Sequence, residues 1–307
     1  AKSCARMAQG GGWDQLDPRE LRCLFPPLIN MARNNHIEEV RMILSRGVNV
    51  DQRHDGRTAL MHAAGQNHHE VVCCLVEGKA NVNMSSPKGM TALMFAAKDN
   101  GLEVVQYLSE FSSLNMKDPH GQDALLWAAR NGHLRVVKYL VEDTESPVNS
   151  ADRHGNTALI WASFNDDVEM CRYLVEVGKA PVNHKSGDGR TAVIEAARYN
   201  RFKALRYLVE IAKGEFCSDF TDRKSRIRSE PPQTALEYAL RNGHDTIVEY
   251  LQHESRRKHV GPALERDLKI VHMLHNEIMT ALSCEWREDY YSKDEEDPEN
   301  DLGWAQV

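Results

Sequence analysis

Apolar residues along this chain come in paired short bursts. Between positions 123 and 142 the first burst is Ala124, Leu125, Leu126, Ala128 and Ala129, and the second is Val136, Val137 and Leu140, with Arg130, Asn131, Gly132 and His133 between them. Both bursts have the i, i+3, i+4 spacing of a helix with one buried face. The predicted unit is therefore two short helices joined by a tight turn. It recurs: the triplet that opens the first burst starts at Thr58, Thr91, Asp123, Thr157, Thr191 and Thr234, with a degenerate copy at Pro26, at spacings of 32, 33, 32, 34, 34 and 43 residues. Such a near-constant period predicts a solenoid, in which no unit holds a core alone and stacked units bury one together.

Each position of the unit has a physical reason. Thr at the start can cap the first helix by accepting from its free backbone N–H groups. Between the helices stand Asn35, Asn67, Asn100, Gly132, Asp166, Asn200 and Gly243, all types that tolerate the left-handed backbone of a tight bend. Small pairs such as Ala63 and Ala64, or Ala96 and Ala97, let neighbouring first helices approach closely, while Leu108, Leu140, Leu174, Leu208 and Leu251 fill space between units. The tyrosines one place before those leucines (Tyr107, Tyr139, Tyr173, Tyr207, Tyr250) suit a half-buried helix and are read as structural.

The unit G-x-T-A-L-x-x-A-A, then Gly or Asn with His, then x-x-V-V-x-Y-L-V-E, then a V-N pair, resembles the ankyrin-repeat family, and the likeness runs through residues 26 to 251. The resemblance implies an all-α fold: a solenoid of stacked helix-turn-helix units with short β-turn or hairpin connections, about seven repeats within residues 25–253. It implies a structural role for His36, His68, His133 and His244, which would hydrogen-bond between loops. It also implies that a protein partner is bound by the turn tips and the exposed side of the first helices, which line a concave groove. Carried over position by position, the outward place on the first helix is His62, Phe95, Trp127, Trp161, Glu195 and Tyr238. Three residues on come Gly65, Lys98, Arg130, Phe164, Arg198 and Arg241, and the turn tips add Met90, Gln122, Asn156 and Arg190. Aromatic and arginine side chains dominate interface energies, so the expected partner-binding residues are Phe95, Trp127, Arg130, Trp161, Phe164, Arg190, Arg198 and Tyr238. The alternative for the rings is that they lie flat between helices as packing.

Four segments fall outside the pattern. Residues 1–24 form an N-terminal extension. An insertion near 213–233 delays the last unit and is basic at Arg223, Lys224, Arg226 and Arg228, which makes it either a solvated loop or a secondary docking site for an acidic partner. Residues 254–284 hold a predicted C-terminal helix with Leu264, Leu268, Val271, Leu274, Ile278 and Leu282 on one face, fit to cap the last repeat or to meet a partner. In the acidic tail, 285–307, nine acids stand against Arg287 and Lys293, which accounts for the whole formal charge of −7. The rest is formally neutral, which argues against a general nucleic-acid surface, although aromatics with Arg could stack single-stranded bases.

Composition narrows the class further. The chain has no apolar run long enough to insert in a membrane and no apolar core of a secretory signal in its first residues. Its seven cysteines include no C-x-x-C pair. These features favour a reducing, cytoplasmic setting, with the nucleus also open. Phosphate-loop, H-E-x-x-H and G-x-S-x-G patterns are absent, and Gly10 to Gly12 lack the strand and helix of a phosphate cradle. The expectation is a non-enzymatic adaptor or scaffold with no cofactor and no metal. Its alternatives are a constitutive subunit of a large assembly and a regulatory or inhibitory subunit of an enzyme. Partner identity and oligomeric state stay open.

Overall fold

A computed structural model describes residues 27–144, 146–212 and 234–257. The extension 1–24, the basic insertion with Arg223, Lys224, Arg226 and Arg228, most of the predicted C-terminal helix and the acidic tail lie outside the described residues.

Fourteen helices alternate along the described residues. The first helices of successive repeats are α1 (Pro27–Arg33), α3 (Ala59–Gly65), α5 (Ala92–Lys98), α7 (Ala124–Arg130), α9 (Ala158–Phe164), α11 (Ala192–Arg198) and α13 (Ala235–Arg241). The second helices are α2 (Ile37–Ser45), α4 (His69–Glu77), α6 (Leu102–Ser109), α8 (Leu134–Glu142), α10 (Val168–Glu176), α12 (Phe202–Glu210) and α14 (Asp245–Arg257). The described residues carry isolated bridges between turns, such as Ser85 with Thr91 and Ala151 with Thr157. The fold is the all-α solenoid that the repeats predict.

The local chemistry follows the sequence closely. Thr58, Thr91, Thr191 and Thr234 each accept a hydrogen bond from the backbone N–H three residues on, and Asp123 does the same for Leu126 at 2.9 Å. Thr157 departs from the row: its backbone is extended but its side chain makes no capping bond, and nothing in the structure explains the difference. All seven bend residues have positive φ, from 57° at Asn67 to 77° at Gly132. His68, His133 and His244 place Nε2 at 3.0, 2.7 and 3.0 Å from the carbonyl oxygens of Arg33, Lys98 and Arg198 in the preceding repeat. Gly101, Asp167 and Arg201 stand at this position in three other repeats, and in the one with Asp167 it is Asn165 that donates through Nδ2 to the Arg130 carbonyl at 2.8 Å.

Packing differs between the two rows of helices. The paired alanines of α3, α5, α7 and α11 are wholly buried, so each first helix lies against the next with almost no side chain between. Ser163 takes the second alanine's place in α9 and remains buried by donating its hydroxyl to the Leu159 carbonyl at 2.8 Å. Neighbouring second helices are held apart by buried Leu108, Leu140, Leu174 and Leu208 and pack less closely on one another than the first helices do. The stack therefore closes on the side of the first helices. The tyrosines hold the outer row across repeats: the Tyr139 hydroxyl is 2.7 Å from Ser109 Oγ, Tyr173 donates to the Lys138 carbonyl, and Tyr207 and Tyr250 donate to Glu176 and Glu210. Burial and the Glu176 carboxylate push the Tyr207 hydroxyl up to about 12, so it stays a donor.

Turn tips stack as tightly as helices. At Gly121, with φ 77°, an added Cβ would stand 2.7 Å from Arg153 N, and that N–H donates to the His120 carbonyl at 2.7 Å. Gly155 meets Gly187 N in the same way one repeat on. Only glycine fits both the backbone angle and the space.

Candidate partner-binding surface

The inner face is built from the last turn of each first helix and the turn tip beside it. Asp118 organises one such tip: its buried carboxylate accepts through Oδ1 from His120 N and Gln122 N at 2.9 and 2.8 Å, and through Oδ2 from the indole N–H of Trp127 at 3.2 Å. Trp127 is thereby fixed in orientation and half-buried, one edge against the core. Asp152 organises the next tip by accepting from His154 N and Asn156 N.

Cations and rings then alternate across repeats. The Lys98 ammonium lies 5.8 Å from the Trp127 ring centroid. The Arg130 guanidinium lies 5.3 Å from Trp127 and 4.9 Å from Trp161, between the two indoles, and its Nη1 donates to Gln122 at 3.1 Å. Burial pulls its pKa below the ordinary value, against the opposing pull of the Asp152 and Asp118 carboxylates. Trp161 meets Phe164 edge to face at 5.9 Å, and Phe164 meets Tyr199 at 4.6 Å. Arg201 lies 5.7 Å from the Phe164 ring, and Arg198 lies 5.0 Å from Tyr199 and 5.9 Å from Tyr238. Contacts of this kind stabilise by about 0.5–2 kcal/mol each, depending on desolvation. Together they hold a row of large side chains in one arrangement.

The expected residues divide in two. Trp127, Arg130, Trp161, Phe164 and Arg198 come together on this row and are partly exposed. Phe95 and Tyr238, expected to face outward, are 6% and 8% exposed, so they are not open anchors. Gly65 stands one repeat before Phe95 without a side chain; the Phe95 ring lies against it, and Arg57 covers the ring at 4.8 Å. Tyr238 lies beneath Arg198. Arg190 is turned inward, bound to Glu195 at 3.2 Å and 3.8 Å from Asp188. Burial alone would lower its pKa, but Glu195, Tyr238 and Asp188 reverse this and the net shift is upward. Two residues join the site that the expected set omits. Lys98 shares the register of Arg130. Tyr199 follows Arg198 at a position that is polar in the other repeats (Gln66, Asp99, Asn131, Asn165, Asn242), and that break was the available signal.

Charge separates the two rows. The first helices carry Arg33, Lys98, Arg130, Arg198 and Arg241 against Glu195 and Glu237, a formal +3; the second helices carry eight bases against twelve acids, a formal −4. The neutrality of the sequence outside the tail thus conceals a polarised stack. On the outer side, hollows lined by Arg41, His69 and Cys73 and by Phe202, Tyr250 and His253 are open and shallow. Among the described residues no group of three or more His, Cys, Asp or Glu could hold a metal ion, and no helix is long and apolar enough to cross a membrane.

No curated protein matches the chain. A family model described as ankyrin repeats (3 copies) matches residues 28–118, 60–152, 110–186, 144–220 and 177–260, in overlapping windows that span the stack from its first helix past its last described one. Ankyrin repeats generally act as protein–protein interaction modules. The register of helices, bends and bonded histidines is the one that the repeat demands, and the chain belongs to the ankyrin-repeat family.

Proposed function

We infer that the chain is a non-enzymatic adaptor or scaffold that grips a protein partner with its concave face, at the row Lys98, Trp127, Arg130, Trp161, Phe164, Tyr199 and Arg198. The observation that carries this reading is Arg130 lying between two half-buried indoles. A surface that is aromatic, cationic and already ordered loses little side-chain entropy on binding, and such rings and guanidiniums are the usual anchors of interfaces. The rings of His68, His133 and His244 are spent on carbonyls of the preceding repeat. Burial pushes the Cys171 thiol up to about 12, which makes it a poor nucleophile. Cys73, Cys74 and Cys171 are free thiols, in keeping with a reducing, cytoplasmic setting.

Quantitative affinity capture tests the reading. Arg130→Glu reverses a charge on the concave face, and Arg206→Glu does so on the outer row, where Arg206 is 61% exposed. Proteins retained by the unaltered chain and by Arg206→Glu should fall by about tenfold or more with Arg130→Glu. Equal loss with both variants, or with neither, would put binding elsewhere, first at the insertion around Arg223 to Arg228.

A further inference from the structure

The concave row is positive, the outer row negative, and this chain contains a segment that matches the first and is repelled by the second. Residues 285–307 carry nine acids against Arg287 and Lys293, interspersed with Trp286, Tyr290, Tyr291 and Trp304. We propose that this acidic segment docks along the concave face of its own chain, its carboxylates on Lys98, Arg130 and Arg198 and its aromatic side chains against Trp161, Phe164 and Tyr199. The proposal rests on the reading of the concave face as a binding surface and adds an occupant to it.

Three observations favour that occupant. Charge is the first: the formal +3 of the inner helices faces a segment of formal −7, and the −4 of the outer helices disfavours the other side. The acids nearest the row are partly engaged elsewhere: Asp118 and Asp152 are buried and accept from backbone N–H groups, and Glu195, 4.0 Å from Arg198, is bound more closely by Arg190 at 3.2 Å. Reach is the second. The last described helix ends at Arg257, and residues 258–284 span about 40 Å as the helix that the sequence predicts and up to about 90 Å if extended. The row lies in the preceding repeats, each step of the stack being about 10 Å. The third is local concentration: a segment tethered within the same chain meets its site at roughly millimolar effective concentration, so weak contacts suffice. A protein partner would then have to displace the segment, or to present a more strongly acidic one.

Zero-length carbodiimide cross-linking of the full chain, read by mass spectrometry, tests this by joining lysine amines to carboxylates that touch them. Lys98 is the inner probe, and the exposed Lys138 and Lys203 on α8 and α12 are the outer controls. Joins from Lys98 to acids of 285–307 should exceed those from Lys138 and Lys203 by about fivefold, should not change on dilution, and should fall by about tenfold in 1 M salt, where the screening length is ~3 Å. The double variant Arg130→Glu with Arg198→Glu should lose them. If that variant unfolds, the full chain with Asp294→Asn, Glu295→Gln, Glu296→Gln and Asp297→Asn serves instead, with joins from Lys98 to Glu285, Glu288 and Asp289 expected to drop. Equal joins on inner and outer lysines, or none at Lys98, overturns the proposal. So do joins found only between differently isotope-labelled copies, since the segment would then dock on a second chain. If Lys98 stays unjoined while Arg130→Glu still abolishes partner capture, the concave surface stands and its occupant is not this segment.

Discussion

The indole N–H of Trp127 donates to the buried carboxylate of Asp118 at 3.2 Å, so the turn tip and the first helix of that repeat are tied through a side chain that also faces the groove. The same carboxylate accepts from two backbone N–H groups of the tip. Asp118→Ala leaves all three donors without their acceptor, and stability should fall by about 1–3 kcal/mol. Asp118→Asn keeps one acceptor oxygen and should lose less. Urea unfolding of both variants, with tryptophan emission shifted to the red in Asp118→Ala, checks the prediction; equal stability of all three proteins would contradict it.

Thr91 and Thr157 occupy the same place in their repeats, yet only Thr91 caps its helix. Thr91→Ala should therefore cost about 1 kcal/mol, and Thr157→Ala clearly less. Midpoints of urea unfolding measured side by side decide this. A larger loss from Thr157→Ala would mean that its hydroxyl does something other than capping.

His62 stands on the concave face at the N-terminal end of the row. Burial, then the charges of Arg57 and Arg33, lower its pKa from the ordinary 6.5. Between that lowered value and about 6.5 the unfolded chain holds a proton that the folded chain lacks, so stability rises with pH across the window and falls as the solution is acidified below 6.5. His62→Gln should flatten the stability profile between pH 5 and 7, by about as much as one proton accounts for. An unchanged profile would assign the pH dependence to another group.

Much of this fold is legible in the sequence because the repeat uses residues whose roles are local. An Asn or Gly at each bend announces a left-handed backbone, and all seven positions adopt it. The paired alanines and the histidines are as explicit. The site is only half legible, because exposure depends on neighbours a repeat away. Phe95 and Trp127 hold the same position, but Phe95 leans against Gly65 under Arg57, whereas Trp127 is drawn to Asp118 and the groove. Arg190 looked available from its turn-tip position and is committed to Glu195, another residue of the outward series. The charge polarity of the two rows is visible only once each residue is assigned to a helix.

The central claim is that the row around Trp127 and Trp161 binds a partner, and it is tested most directly by measuring melting temperature and affinity for the most strongly captured protein on one double variant, Trp127→Leu with Trp161→Leu. Leucine keeps the helix and much of the apolar contact beneath these half-buried rings, so the loss of stability should stay well under the about 3–5 kcal/mol of removing one fully buried aromatic. Hot-spot aromatics each carry about 2 kcal/mol or more, so affinity should drop by roughly a hundredfold or more. A folded variant that binds its partner as tightly as the unaltered chain would contradict the account.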